Sequence, residues 1–406
     1  KCKKKGDIPK RLSYVCRGCK NNEVRNINKF DEKVVQDIED NFDNYIKKEK
    51  LWYPADNIPL GKETNKIIKR GFTHFYKLFT KRNLYVISLL FKEINKIKDI
   101  NIRQLFLMVF TSTFGWTSKM NMLRYGSTPG GWGKHSYWVP GNPLEQNVWL
   151  IFENRYQAMH NGKEFSNKEV NDFYKEAKDF TDLKKDNTCL LVTKSSTSLP
   201  LPDKSVDIII TDPPYGGNVN YTELSDFWAV WLRDILNIKK NEFIDNQEEA
   251  IVNEYQKKKI KDYRDLMFKI FKECNRVLKS GRWMIMTFHN KNFHVWNALN
   301  LAAHDAGFIL SEDDGMIYQP PIQSYVTTAH TRKQGGSMLG DFVLSFQKTD
   351  KPPKIKMLEE VEIGNKVRKI AAETIQYHGG AKLSTIYMRL VPFLLNNGLL
   401  HKVGEQ

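Results

Sequence analysis

The chain has 406 residues, 41% of them hydrophobic and 12% aromatic, which is enough for two or three domains with sizeable cores and excludes a disordered composition. Lys and Arg outnumber Asp and Glu by 63 to 47, a formal charge of +16 that is spread over the chain and favours a polyanionic partner, the bland alternative being a Lys-rich proteome. The odd number of cysteines, with Cys189 and Cys274 lacking near partners, speaks against a disulfide framework and for a reducing compartment. With no long apolar run and no signal-peptide pattern at its start, the chain reads as soluble and cytoplasmic.

Residues 1–25 carry three cysteines among many lysines. Cys16-Arg17-Gly18-Cys19 is a C-x-x-C knuckle, and Cys2 lies fourteen residues before Cys16. The segment reads as a zinc-ribbon remnant in which Cys2, Cys16 and Cys19 are three of four thiolate ligands, the fourth expected upstream of Lys1. Three unrelated thiols in a basic tail are the alternative. Residues 26–185 form a helical and aromatic-rich region: a charged helix over 30–50, a loop at Leu51-Trp52-Tyr53-Pro54, helical spacing over 79–98 and 102–122, a Gly/Pro/aromatic loop over 126–141, and helix again over 143–181. In this region Arg103, Lys119, Arg124, Lys134 and His135 interleave with Trp116, Tyr125, Trp132, Tyr137 and Trp138. That pattern suits phosphate contact and base stacking, centred on the 126–141 loop; a subdomain packed with core aromatics is the other reading.

From Asn187 the pattern changes. Cys189–Thr193 is a short apolar run, and Val206–Thr211 (VDIIIT) reads as a buried parallel strand. Residues 222–236 and 245–280 read as helical, the second closing on Arg276-Val277-Leu278-Lys279 and Gly281. Trp283–Phe288 is a further strand, Trp296–Ala306 a helix stopped by Gly307, and Phe342–Gln347 another strand. Residues 186–350 therefore read as an α/β core with mostly parallel order. After a Lys/Pro linker, residues 357–406 hold helices over 358–376 and 383–395 and a small apolar run, either a winged-helix-like module or a helical hairpin.

The sharpest feature is Thr211-Asp212-Pro213-Pro214-Tyr215. In open α/β sheets ligands sit beyond the carboxyl ends of strands, which is where Asp212 stands. Two prolines fix φ and remove two donors, leaving a stiff loop with free carbonyls, and Tyr215 adds a flat aromatic surface. His289 follows its own strand at a carboxyl end, facing a pocket or serving only structure.

The peptide TDPPY resembles the catalytic motif of the amino-methyltransferases, S-adenosylmethionine enzymes acting on adenine N6 or cytosine N4. The stretch Tyr215 to Phe227 (YGGNVNYTELSDF), the RVLK-x-G stretch at 276–281, Gln334 to Phe342, and Phe79-Thr80-Lys81-Arg82-Asn83-Leu84 are similar to bacterial DNA methylases carrying a zinc ribbon. The resemblance covers roughly residues 1–350. It implies a Rossmann-like S-adenosylmethionine-dependent methyltransferase sheet with a helical insertion, double-stranded DNA as partner, a restriction or defence setting, and structural zinc beside the methyl donor. An exocyclic amine is a poor nucleophile because its lone pair is delocalised, so acceptors set against its hydrogens and in-line positioning carry the reaction. By resemblance, Asp212, Pro213, Pro214 and Tyr215 bind and activate the target amine of a flipped base, with Asn220 and Tyr221 close to the base or donor.

The pattern departs in one respect. The family's F-x-G-x-G donor loop is not found: Ser127–Gly133 has glycines without a leading strand, and Gly216-Gly217 belongs to the catalytic loop. The expectation is an upstream segment, or a second chain, that supplies the loop and the missing knuckle, with weak donor binding by this chain alone. An N4-cytosine enzyme, an RNA or protein-glutamine methyltransferase, and a non-catalytic DNA-binding subunit of a split enzyme remain as alternatives.

Overall fold

The computed structural model describes residues 9–15, 22–123, 130–133, 136–171, 173–239, 242–290, 292–311, 316–319, 341–350, 360–377, 379–380 and 383–397. Cys2, Cys16 and Cys19, the start of the 126–141 loop, Gln334–Gly340 and the run after Asn397 lie outside the described residues. The chain divides into two units, one of Lys1–Asp172 with Tyr221–Asp245, the other of Phe173–Asn220 with Asn246–Gln406.

The first unit opens with an antiparallel pair, β1 (Arg11–Val15) and β2 (Asn22–Asn26), whose connection contains the C-x-x-C. Its helices are α1 (Lys29–Lys48), α2 (Asn65–Ile68), α3 (Lys81–Ile94), α4 (Ile100–Thr117), α5 (Val148–Val170), α6 (Tyr221–Ala229) and α7 (Arg233–Leu236). The long ones start where the sequence supplies a cap. Asn28 and Asp31 cap each other's backbone at α1, and Asp99 and Asn147 accept first-turn amides at α4 and α5. Helix α5 stops at Val170, short of the expected 181.

The motif Phe79–Leu84 is structural here. Thr80 caps α3 and donates to Glu145 at 2.8 Å, Arg82 pairs with Glu145, and Asn83 donates to the carbonyls of Thr117 and Gln146 at 2.8 and 3.1 Å. Around these ties sits an aromatic core of Phe79, Phe110, Phe114, Phe227 and Trp231, each such ring worth roughly 1.5–3 kcal/mol on burial.

That core corrects part of the nucleic-acid reading. Trp132 and Tyr137 are buried, Trp132 against Phe227 and Trp228 and Tyr137 with its hydroxyl donating to the Glu223 carbonyl at 3.0 Å. Burial, not base stacking, accounts for these two rings. Trp138 is exposed, while Arg124, Tyr125, Lys134 and His135 lie outside the described residues.

The second unit holds β3 (Lys175–Glu176) paired with β4 (Thr188–Cys189), and a five-stranded sheet of β5 (Val206–Thr211), β6 (Leu278–Phe288), β7 (Phe308–Leu310), β8 (Met316–Gln319) and β9 (Asp341–Lys348). The order is β5-β6-β9-β7, with β8 also on β9. The unit is mixed α/β, and its sheet is mixed, which corrects the mostly parallel expectation. Strand β5 runs parallel to β6, but β9 is antiparallel to β6, β7 and β8. Its helices are α8 (Ile260–Val277), α9 (Phe293–Asp305), α10 (Glu360–Tyr377) and α11 (Leu383–Asn396).

One face of the sheet carries the core. Met284, Met286 and Phe288 of β6 and Phe342, Leu344 and Phe346 of β9 pack with Tyr263, Met267 and Phe271 of α8, with Trp296 and Leu299 of α9, and with Ile363 of α10 and Leu390, Val391 and Leu394 of α11. The two C-terminal helices thus share the sheet's core. Gly307 ends α9 with φ +93°, and a Cβ there would stand 2.8 Å from Asn275 Nδ2. On the opposite face the alternate residues Trp283, Ile285 and Val343 are only half-buried.

Strand β5 corrects the expectation of a buried strand. It is the sheet's edge, with Ile208 52% and Ile210 76% exposed, while Val206 and Ile209 pack on the core. A β-branched run that would be covered on both faces in a parallel sheet is covered on one. The stretch 246–259, read as helical, is irregular. Asn253 and Lys258 bridge each other's backbone, Lys257 has φ +56°, and the Lys258 ammonium donates to the carbonyls of Asn246 and Glu249.

Candidate active site

Strand β5 ends at Thr211, opposite Met286 of β6 in parallel register. Asp212 comes next at the carboxyl end and is exposed. One oxygen is held: Thr287, the residue after Met286, donates its hydroxyl to Asp212 Oδ1 at 2.9 Å. Parallel pairing is what brings Thr287 there.

The residues after Asp212 turn sharply. Pro213 and Gly216 are buried, and Pro214 and Tyr215 are half-buried. The Pro214 carbonyl accepts from the Gly216 amide at 3.0 Å and from the Tyr263 hydroxyl at 2.9 Å. The Tyr215 carbonyl accepts from Asn218 N at 3.3 Å and from Asn290 Nδ2 at 2.9 Å. No hydrogen bond reaches the Pro213 carbonyl among the described residues. Gly216 has φ +59°, and a Cβ on it would lie 2.8 Å from Val295 Cγ1 and 3.1 Å from Asn290 Nδ2, so this corner accepts only glycine without movement.

The Tyr215 ring meets Phe288 edge-on at 5.1 Å, and Phe288 meets Trp296 at 4.8 Å. The loop is therefore seated on the core of its own unit. Burial pushes the Tyr263 phenol well up, so it stays a neutral donor. His289, one residue past β6, has a buried Nδ1 without a hydrogen-bond partner among the described residues.

Asn220 is fully buried, and its Oδ1 accepts from Asn253 Nδ2 at 2.9 Å. Asn253 in turn accepts the amides of Tyr255 and Gln256 and is itself buried. Tyr221, the first residue of α6, is half-exposed and belongs to the first unit. Two residues on, the Glu223 carboxylate takes the amides of Glu63 and Thr64 at 2.8 Å each and the Thr64 hydroxyl at 3.0 Å. The stretch from Tyr215 to Phe227 thus divides, with Tyr215 to Asn220 serving the turn and Glu223 tying down a loop of the first unit.

Sequence reasoning picked out Asp212, Pro213, Pro214 and Tyr215, and the structure places them in one turn. It missed Thr287, Tyr263, Asn290 and Asn253. Thr287 was findable as the last polar residue of a strand parallel to β5. The other three bond main-chain or buried amide groups, which leave no residue-type pattern.

Among the described residues, no group of three or more His, Cys, Asp or Glu is placed to hold a metal, and no helix is long and apolar enough to cross a membrane.

No curated protein matches the chain. Three solved structures of one protein from Thermus thermophilus, assigned as a DNA modification methylase, are similar to parts of it. Its selenomethionine derivative is 15% identical over 43% of this chain and 57% of that one, with a TM-score of 0.19. Another form is 12% identical over 45% and 62%, TM-score 0.21. A complex with S-adenosyl-L-methionine is 15% identical over 43% and 58%, TM-score 0.19. The chain spans less than two thirds of that protein. The family comparison is more direct, because its segment starts on the first residue of β5, takes in the Asp212 turn and ends within α11: residues 206–391 match the model of the DNA methylase family.

Proposed function

We propose that this chain is the target-base half of a DNA adenine-N6 methyltransferase, the Asp212–Tyr215 turn holding a flipped adenine by its exocyclic amine. The observation that carries the reading is the pair of acceptors at the end of β5, the Asp212 carboxylate and the Pro213 carbonyl, which no hydrogen bond reaches among the described residues. Two acceptors set against two amine hydrogens draw the nitrogen toward the geometry in which its lone pair attacks. Thr287 steadies the carboxylate, and the Tyr215 ring offers a face for stacking. The net charge of +16 suits the DNA backbone. N4-cytosine stays the alternative, since both amines meet the same acceptors.

S-adenosylmethionine supplies an electrophilic methyl on a sulfonium. The described residues do not make its cradle. Among the described residues the Gly216 corner is already filled by Val295 and Asn290, and no other glycine-rich turn follows the carboxyl end of a strand in the sheet. Among the described residues the outer edge of β5 pairs with no strand and Ile208 and Ile210 are exposed, which supports a donor-binding strand and loop supplied from outside the described residues, by another segment or a second chain. A zinc site at Cys2, Cys16 and Cys19 belongs to the same proposal.

Transfer of labelled methyl from S-adenosylmethionine to unmethylated genomic DNA, followed by nucleoside analysis, tests the function. The expected product is N6-methyladenine, lost in Asp212→Ala. Full activity in Asp212→Ala removes the assignment, and N4-methylcytosine as product selects the alternative.

A further inference from the structure

The turn at the end of β5 carries three successive carbonyls, those of Pro213, Pro214 and Tyr215, and among the described residues their hydrogen-bond partners differ. Two are occupied from outside the loop. Tyr263 reaches the Pro214 carbonyl from α8 at 2.9 Å, and Asn290 reaches the Tyr215 carbonyl from just beyond β6 at 2.9 Å. Neither side chain has slack. Tyr263 is 1% exposed in the core. Asn290 is fixed on two further sides: its Oδ1 accepts the Asn292 amide at 2.7 Å, and its carbonyl accepts the Trp296 indole N–H at 2.8 Å. Trp296 is itself packed between Phe288 and Phe342.

We infer that Tyr263 and Asn290 are positioning residues of the methyl-transfer site, which occupy the Pro214 and Tyr215 carbonyls and so fix the turn with the Pro213 carbonyl, bonded by none of the described residues, as the acceptor left for the amine. This rests on reading Asp212–Tyr215 as the amine-binding turn. The physical reason is competition. A stiff Pro-Pro turn carries several carbonyls of equal basicity, and an amine with two hydrogens can pair with any two acceptors in reach. Saturating the later carbonyls leaves the register in which Asp212 and Pro213 act together. Proline supplies no amide hydrogens at 213 and 214, so the clamp on the Pro214 peptide comes from the phenol of α8. Because burial keeps that phenol protonated, it donates throughout the working pH range.

The test uses the full chain under the conditions that support methyl transfer, with Tyr263→Phe, Asn290→Asp, their combination, and Asp212→Ala as reference. Tyr263→Phe keeps the ring and removes only the donor. Asn290→Asp keeps the oxygen that accepts the Asn292 amide and withdraws the donor from Tyr215. Misplacing a reacting group by a fraction of an ångström to an ångström costs up to about 100-fold in rate, so each single variant is expected to lower kcat by roughly 10- to 100-fold with KM for DNA changed by no more than about two-fold. The double variant is expected to fall less than the product of the singles, because both act on one turn. Wild-type kcat in Tyr263→Phe and Asn290→Asp, with Asp212→Ala inactive, overturns the positioning role and leaves the amine-binding turn standing. A raised KM accompanied by a lower melting temperature also overturns it, as plain structural damage. Activity in Asp212→Ala instead overturns the reading of the turn itself.

Discussion

Gly216→Ala tests the geometry of the turn most directly. Gly216 sits at φ +59°, and placing alanine in the left-handed region costs about 1–2 kcal/mol. The added Cβ also falls 2.8 Å from Val295 Cγ1 and 3.1 Å from Asn290 Nδ2. Neither neighbour yields easily. Val295 is β-branched, buried, and fixed in α9, while Asn290 is held by its bonds to Tyr215, Asn292 and Trp296. Overpacking of this kind costs about 1–3 kcal/mol. Together these give about 2–5 kcal/mol of lost stability, read by urea unfolding followed by circular dichroism. Pairing it with Val295→Ala separates the two contributions: removal of the valine methyls relieves the overlap, so the two substitutions should couple by about 1 kcal/mol or more in a double-mutant cycle. A Gly216→Ala protein within about 0.5 kcal/mol of wild type, in the range of ordinary surface changes, refutes the described turn.

Other outcomes follow from features outside the turn. Glu223→Ala leaves the amides of Glu63 and Thr64 without the carboxylate they share, while the Thr64 hydroxyl keeps the Pro59 carbonyl; at about 1–3 kcal/mol for a buried unsatisfied group, it should destabilise the first unit, seen as a lowered melting temperature. Burial pushes the Cys274 thiol up to about 11, so native protein treated with iodoacetamide at mildly alkaline pH should be labelled at the exposed Cys189 and spared at Cys274 by peptide mass mapping. The Arg276 guanidinium and the Leu199 amide hold the Glu273 carboxyl below its ordinary 4.5. A depressed carboxylate stabilises the fold above the unfolded-state value and loses that contribution as pH falls through the folded one. The stability gap between wild type and Glu273→Gln should therefore be open at neutral pH and close as the pH drops below 4.5, measured by denaturant titration across pH.

The sequence carried the turn but not its supports. Asp212 to Tyr215 was legible because a β-branched run ending in Asp-Pro-Pro is both a local pattern and a position in a sheet. The first-unit helices were legible as helical spacing, but their starts were not: the caps Asn28, Thr80, Asp99 and Asn147 set them, and helix α5 begins at Val148 where spacing had suggested 143. What failed was long-range. Aromatics in the 126–141 loop look alike whether they face nucleic acid or a core, and the contacts of Trp132 and Tyr137 with Phe227 and Glu223 join segments nearly a hundred residues apart. The 246–259 stretch had helical charge spacing, yet the Asn253–Lys258 bridge competes with the helix and wins. Antiparallel β9 was out of reach because a strand's composition does not record its direction.

The uncovered edge of β5 has a consequence for handling the protein. A strand that, among the described residues, has no partner on its outer edge and carries two outward isoleucines is a template for any other strand, including the β5 of a second copy. Produced alone at high concentration, the chain should self-associate through this edge, and light scattering should fall when Ile210 is replaced by Lys. The same strand that leads into the Asp212 turn is thus the place where colloidal behaviour is decided, and a protein in which it is covered would be the better-behaved one.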